Sequence, residues 1–174
     1  MLSFWFDEID ASKWWVKDVE FDHHIKDKFL TLHGQANQCE LFEWRQSAKG
    51  RLAEIIVLDQ FSRNIFRDTP KAFSSDPLAL TLSQEAVALG KDKDLNQVER
   101  GFLYMPYMHS ESLVIHDVAV ELYKHNGAQS SLEFEIKHRD IVEKFGRYPH
   151  RNVILNREST EEELMFLKQP GSSF

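Results

Sequence analysis

The stretch R-L-A-E-I-I-V-L-D-Q-F-S-R-N-I-F-R, residues 51–67, decides the fold of this chain. At about 100° per residue, its apolar side chains fall on two roughly opposite stripes of a helix. The first stripe holds Leu52, Ile55, Ile56 and Phe66, and the second holds Val57, Leu58, Phe61 and Ile65. Because a helix with two apolar faces is normally covered on both sides, the pattern predicts a central helix inside a helical protein.

Two charged residues interrupt this helix. Asp59 and Arg63 fall in the middle of the first apolar stripe, not on a polar face. A buried charge is costly unless it is paired and hydrogen-bonded. The stretch therefore predicts a polar site inside the protein, although an i,i+4 pair between these two side chains is a purely structural alternative.

The remainder of the chain has the composition of a folded helical domain. It has 174 residues, of which 42% are hydrophobic and 12% aromatic, so disorder is excluded and residues 1–174 are expected to form a single domain. Helix start and stop signals recur, and no pair of alternating strands is visible. We predict an all-α fold of about seven or eight helices, whose short connections are compatible with a repeat-like array.

Charge and targeting signals restrict the partners and the compartment. The formal net charge of −7 argues against a general nucleic-acid binder, which needs a basic face. No apolar run approaches a membrane span, and the first residues lack the basic segment of a signal peptide. The single Cys39 fits a reducing compartment. We expect a cytoplasmic protein without membrane contact.

Two further helices place ionisable side chains on apolar stripes. In a predicted helix over residues 110–124, Glu111 projects onto the apolar arc, where it could instead cap its own helix. In a helix ending at Phe145, His138 lies amid a stripe formed by Phe134, Ile141 and Phe145. A lone histidine of this kind is more often a satisfied core residue than a catalyst. Together, the three helices favour a shared polar site, although structural ion-pair networks give the same pattern.

A basic segment follows that helix. Residues 144–157 contain no acidic residue and hold Lys144, Arg147, His150, Arg151 and Arg157. Arginine suits carboxylates and phosphates because its planar fork binds two oxygens. The alternative is that these arginines pair with the surplus of Asp and Glu, and RNA binding would depend on this segment alone. Arg67, at the end of the central stretch, could join either arrangement.

The sequence predicts no metal and no cofactor. His109-x-Glu111 lacks a third ligand at a known spacing, and no phosphate-binding glycine loop or dinucleotide fingerprint is present.

Three blocks of the sequence resemble the signature blocks of the bacterial domain-of-unknown-function family 924. They are L-D-Q-F-S-R-N-I-F-R (58–67), F-L-Y-M-P-Y-M-H-S-E (102–111) and F-G-R-Y-P-H-R-N (145–152). The opening F-W-F and the later R-E-S-T-E-E-E-L are similar to that family too, whereas Tyr148 and Tyr107 stand where it usually or often has Phe. The resemblance implies an all-helical fold similar to tetratricopeptide-repeat proteins and brings no established activity.

These observations lead to two functional hypotheses. The first is a pocket for a small anionic ligand between the central helix and the segments around His109 and His150. Its acid–base candidates are Asp59, His109, Glu111 and His150, and its ligand-binding candidates are Gln60, Arg63, Arg67, His138, Arg147 and Arg151. The second is a non-enzymatic helical scaffold that binds a peptide or protein, with the charged residues as an internal brace.

Overall fold

The structure of the chain, a computed structural model, describes residues 1–173. Within these residues there is no strand, and no helix combines the length and apolarity needed to cross a bilayer. A π-helical turn (Phe4–Glu8) precedes seven α-helices: α1 (Val19–Asn37), α2 (Ala48–Ile65), α3 (Asp76–Ala88), α4 (Gln97–Met108), α5 (Leu113–Asn126), α6 (Gln129–Phe145) and α7 (Glu161–Phe166). The prediction of an all-α fold with seven or eight helices is confirmed.

Helix α2 is the centre of the fold. It packs against α1, α3 and α4, and every residue from Leu52 to Ser62 is buried. Both predicted stripes are therefore covered. The helix begins three residues earlier than predicted because Ser47 caps it, with the Ser47 side chain accepting a hydrogen bond from the backbone N–H of Gly50 at 3.0 Å. It ends at Ile65, two residues before the predicted boundary.

An aromatic core holds the N-terminal segment against α2. The Trp5 ring lies 5.4 Å from Phe61 of α2 and 5.7 Å from Phe102 of α4, centroid to centroid. Phe4 lies 5.0 Å from Phe29 of α1. Burial of these large rings is the main stabilising contribution in this part of the molecule, and it fixes α1, α2 and α4 relative to one another.

The connections between the later helices contain several residues of the polar site. Helix α4 continues through Pro106 to Met108, so that His109 is its C-cap. Helix α5 begins only at Leu113, so Glu111 lies in the connection and not on the predicted helix. Helix α6 ends at Phe145 and is capped by Gly146, whose φ of +68° suits glycine, and a 3₁₀ turn (Pro149–Arg151) follows. Phe134 is 52% exposed, so its predicted place on a buried stripe is wrong, whereas His138 is buried.

Candidate functional site

Asp59 occupies the centre of the polar site, inside the buried run of α2. Its carboxylate is 1% exposed. Oδ1 accepts a hydrogen bond from Nδ1 of His109 at 2.7 Å and lies 3.1 Å from Nη1 of Arg63. Oδ2 accepts a hydrogen bond from the amide of Gln60. Four of the predicted site residues, Asp59, Gln60, Arg63 and His109, therefore meet.

Arg63 connects Asp59 to a carboxylate that the sequence analysis did not place in the site. Its guanidinium donates two hydrogen bonds to Asp76, from Nη1 to Oδ1 at 2.9 Å and from Nη2 to Oδ2 at 3.0 Å. Nη1 also donates to the backbone carbonyl of Asp59 at 2.9 Å. Asp76 is the first residue of α3. Two carboxylates therefore neutralise Arg63.

Burial and neighbouring charges shift the pKa values of this group in opposite directions. Burial raises the pKa of Asp59, but the nearby charge of Arg63 and the contact with His109 outweigh it, so that pKa lies well below its usual range. Burial, and then the charge of Arg63, lower the pKa of His109 more than Asp59 raises it. At neutral pH Asp59 is thus ionised and His109 is neutral, with its Nδ1–H directed at Asp59.

Arg151 is the least satisfied charged residue of the site. The residue is 6% exposed, and among residues 1–173 its Nε has no hydrogen-bond partner. Its Nη1 lies 3.7 Å from Oδ2 of Asp76, which is beyond hydrogen-bond distance. The rings of Phe73 and Tyr148 flank the guanidinium, with centroids 4.7 Å and 4.6 Å from Cζ. A buried guanidinium with a free donor is rare, because the desolvated N–H needs an acceptor.

Two of the predicted histidines surround Tyr148 beside Arg151. The Tyr148 ring centroid lies 5.7 Å from that of His138 and 5.5 Å from that of His150. Nδ1 of His138 donates to the carbonyl of Phe134 at 2.7 Å. Burial lowers the pKa of His138 to about 3 and that of His150 to about 4. Both imidazoles are therefore neutral at physiological pH.

A fully buried hydrogen-bonded group, which the sequence analysis missed, supports Tyr148. Nδ1 of His116 lies 2.6 Å from Oε1 of Glu135, and Nε2 of His116 lies 2.9 Å from the carbonyl oxygen of Ser110. The Tyr148 hydroxyl donates to the carbonyl of Met108 at 2.6 Å. His116 and Glu135 have no exposed surface, and burial raises the pKa of Glu135. Nε2 of His116 also lies 3.1 Å from the Tyr148 hydroxyl, so this group holds in place the ring that lies against Arg151.

Glu111 borders the site but is already paired. Its carboxylate accepts two hydrogen bonds from Arg157, at 2.7 Å and 2.9 Å, and one from the backbone N–H of Tyr148 at 2.8 Å. Burial raises the pKa of Glu111, but these hydrogen bonds outweigh burial, so the pKa lies below its ordinary value. Glu111 therefore positions the 148–151 segment and does not have the raised pKa of a typical general acid.

Two arginines that were predicted to bind the ligand pair with carboxylates outside this site. Arg147 donates to both carboxylate oxygens of Glu163, at 2.7 Å and 2.8 Å, and so attaches α7 to the end of α6. Arg67 pairs with Asp22 of α1. The structure does not bring either guanidinium to Asp59, since each has a carboxylate of its own.

Two open clefts of the molecule lie away from this site. One, of about 440 Å³, is lined by residues including Trp44 and Lys49. Another, of about 220 Å³, lies beside Asp22 and Arg67. Asp59, Arg63 and Arg151 line neither of these two clefts. Within residues 1–173, no three His, Cys, Asp or Glu side chains are grouped as metal ligands would be.

Comparison with known proteins agrees with the resemblance seen in the sequence. Residues 1–171 match the family model described as "Bacterial protein of unknown function (DUF924)". The chain belongs to this family. Among solved structures, a protein of unknown function from Agrobacterium tumefaciens is 39% identical, with a TM-score of 0.90, and the match covers 96% of this chain and 94% of that one. Comparison with curated proteins gave no match.

Proposed function

We propose that this member of the DUF924 family binds a small anionic ligand at Arg151. The observation that carries the proposal is the buried Nε of Arg151, which has no acceptor among residues 1–173. Donors of a buried guanidinium are normally satisfied, and an anion supplies the strongest acceptors. Arg147 and Arg67 are less suited to this role, because each already pairs with a carboxylate, Glu163 and Asp22 respectively.

The exposure of the side chains around the site supports the approach of a ligand. Arg63, His109 and Asp76 keep 19%, 15% and 16% of their side chains exposed, whereas Arg151 keeps 8%. In this proposal the three partly exposed side chains form the rim of the binding site, and Arg151 forms its floor. A ligand entering between them would reach Arg151 next to a neutral imidazole and an ionised carboxylate.

Acid–base chemistry is the second part of the proposal. An ionised Asp59 that accepts the Nδ1–H of His109 leaves Nε2 of His109 as the basic nitrogen. A carboxylate that holds a histidine in this tautomer is the arrangement used by general bases. In this proposal His109 takes a proton from the bound ligand, Asp59 stabilises the imidazolium, and Arg151 holds the anionic group.

Thermal stabilisation by a panel of small carboxylates and phosphates tests the binding. We expect at least one compound to raise the melting temperature of the wild type and to lose this effect in Arg151→Met. Arg139→Met is the matched control, because Arg139 lies on the surface of α6 in ion pairs with Asp117 and Glu143. If no compound stabilises the wild type, or if both variants respond like it, the proposal fails.

The scaffold hypothesis predicts a different result. If the ion pairs only brace a surface that binds a peptide or protein, Arg151→Met would leave every small-molecule response unchanged. A stoichiometric partner recovered by a pull-down would then be lost on surface substitution and retained in Arg151→Met.

A further inference from the structure

The charges around Arg151 restrict the kind of anion that the site accepts. Arg63 is already opposed by Asp59 and Asp76, and Asp76 is also the carboxylate nearest to Arg151 among residues 1–173. Two guanidinium groups therefore face two carboxylates. Glu111 and Arg157 form a separate neutral pair. These four charges cancel formally, but Arg151 has no hydrogen-bonded carboxylate among residues 1–173.

The histidines do not add to this charge. His109, His138 and His150 all have lowered pKa values because they are buried, so they are neutral at physiological pH. A dianion at Arg151 would bring two negative charges close to Asp76 in a largely dry site. Such an excess of charge is costly because little water is present to solvate it.

The surroundings of the Arg151 guanidinium agree with the charge argument. Its Cζ lies over the rings of both Phe73 and Tyr148. The N–H bonds of a guanidinium point outward in its plane, so an acceptor binds along its edge. A flat group with two oxygens matches this edge, since the guanidinium fork and a carboxylate bind through two parallel hydrogen bonds.

We infer that the ligand is a small monocarboxylate, bound through its carboxylate at the edge of Arg151, and not a phosphate compound. This inference rests on the proposed function and specifies its ligand class. Asp76 then acts as a specificity residue, because its negative charge beside Arg151 disfavours dianions.

Calorimetry at pH 7.5 and constant ionic strength tests the inference with acetate, propionate and benzoate against inorganic phosphate and sulfate. We expect at least one carboxylate to bind the wild type at least about tenfold more tightly than either dianion. Arg151→Lys keeps the charge but loses the fork, and we expect it to weaken that carboxylate by about tenfold or more. Circular dichroism verifies that the variant is folded.

Asp76→Asn is the specificity variant. It keeps a side chain that can accept from Arg63 and removes the negative charge beside Arg151, so phosphate should gain affinity relative to the carboxylate by about tenfold. If phosphate or sulfate binds the wild type more tightly than every carboxylate and depends on Arg151, the monocarboxylate inference is overturned while the proposed function stands. If nothing binds, both fail. If Asp76→Asn leaves the ratio unchanged, the role of Asp76 is refuted.

Discussion

Nδ1 of His109 lies 2.7 Å from Oδ1 of Asp59, although 50 residues separate them in the chain. The contact exists because α4 packs against α2 and because α4 continues through Pro106, which places His109 at its C-terminal end. A carboxylate and an imidazole from two helices thereby become one hydrogen-bonded pair, in which the Asp59 side chain is 1% exposed and the His109 side chain 15%. Several consequences of this arrangement can be measured.

Replacing Asp59 with Asn tests the pair directly. The amide retains the shape but not the charge, so the pKa of His109 should fall further below its ordinary value, since Asp59 acts to raise it. The free energy of unfolding should drop by about 1–3 kcal/mol, because Arg63 keeps only Asp76 as a charged partner. NMR titration of the imidazole and urea denaturation check the two effects. The exposed Asp140→Asn on α6 is the control, and an increase in the pKa of His109 would contradict the account.

Replacing Arg151 with Met should separate binding from stability. Without a ligand, the wild type has a buried guanidinium that lacks a hydrogen bond at Nε, so removing it should leave stability unchanged or raise it by about 1 kcal/mol. Arg147→Met should instead destabilise the fold, because it leaves the Glu163 carboxylate without its two hydrogen bonds from the guanidinium. Urea denaturation of both variants measures the difference. A larger loss for Arg151→Met than for Arg147→Met would show that Arg151 serves mainly to hold the fold.

The buried histidines should make the protein sensitive to mild acid. The pKa of His138 is lowered to about 3 and that of His150 to about 4, so between these values and about 6.5 the unfolded chain binds more protons than the folded one. Stability is therefore complete above about pH 6.5 and decreases as the pH falls, by about 1.4 kcal/mol per pH unit for each histidine.

The substitution His138→Gln isolates one of these contributions. The amide can still donate to the carbonyl of Phe134 but does not titrate, so the slope between pH 6 and pH 4.5 should decrease by about 1.4 kcal/mol per pH unit. Urea denaturation at several pH values measures this slope, and the exposed His23→Gln is the matched control. An unchanged slope in His138→Gln would mean that His138 is protonated in the folded state.

Tyr148→Phe introduces the residue that the DUF924 family usually has at this position. It removes the hydrogen bond from the hydroxyl to the carbonyl of Met108, which should cost about 1 kcal/mol in urea denaturation. The ring that flanks Arg151 remains, so the affinity for the carboxylate should change less than about threefold. A loss of more than tenfold would indicate that the hydroxyl itself contacts the ligand.

Local sequence patterns were sufficient for the helices and for the burial of Asp59. The two apolar stripes of α2 identify a helix that is covered on both sides, since side-chain direction along a helix follows from its period alone. The same rule places Asp59 among apolar residues, and it locates His138 correctly. It fails for Glu111, because the rule holds only inside a helix and α5 begins after that residue.

The pairing of charges was decided by the tertiary structure. Four arginines, Arg63, Arg67, Arg147 and Arg151, look alike in the sequence. In the folded structure, Arg63 pairs with Asp76, Arg67 pairs with Asp22, and Arg147 pairs with Glu163. Arg151 lies near the same Asp76, but its Nη1 is 3.7 Å from Oδ2, too far for a hydrogen bond. The energy of an ion pair depends on distances of a few ångströms between helices that are far apart in the chain. The sequence by itself therefore determined the helices and the buried position of Asp59. Only the packing of α2, α3 and the 149–151 turn decided which arginine lacks a hydrogen-bond acceptor at its Nε, because that packing sets the distances between the charged groups.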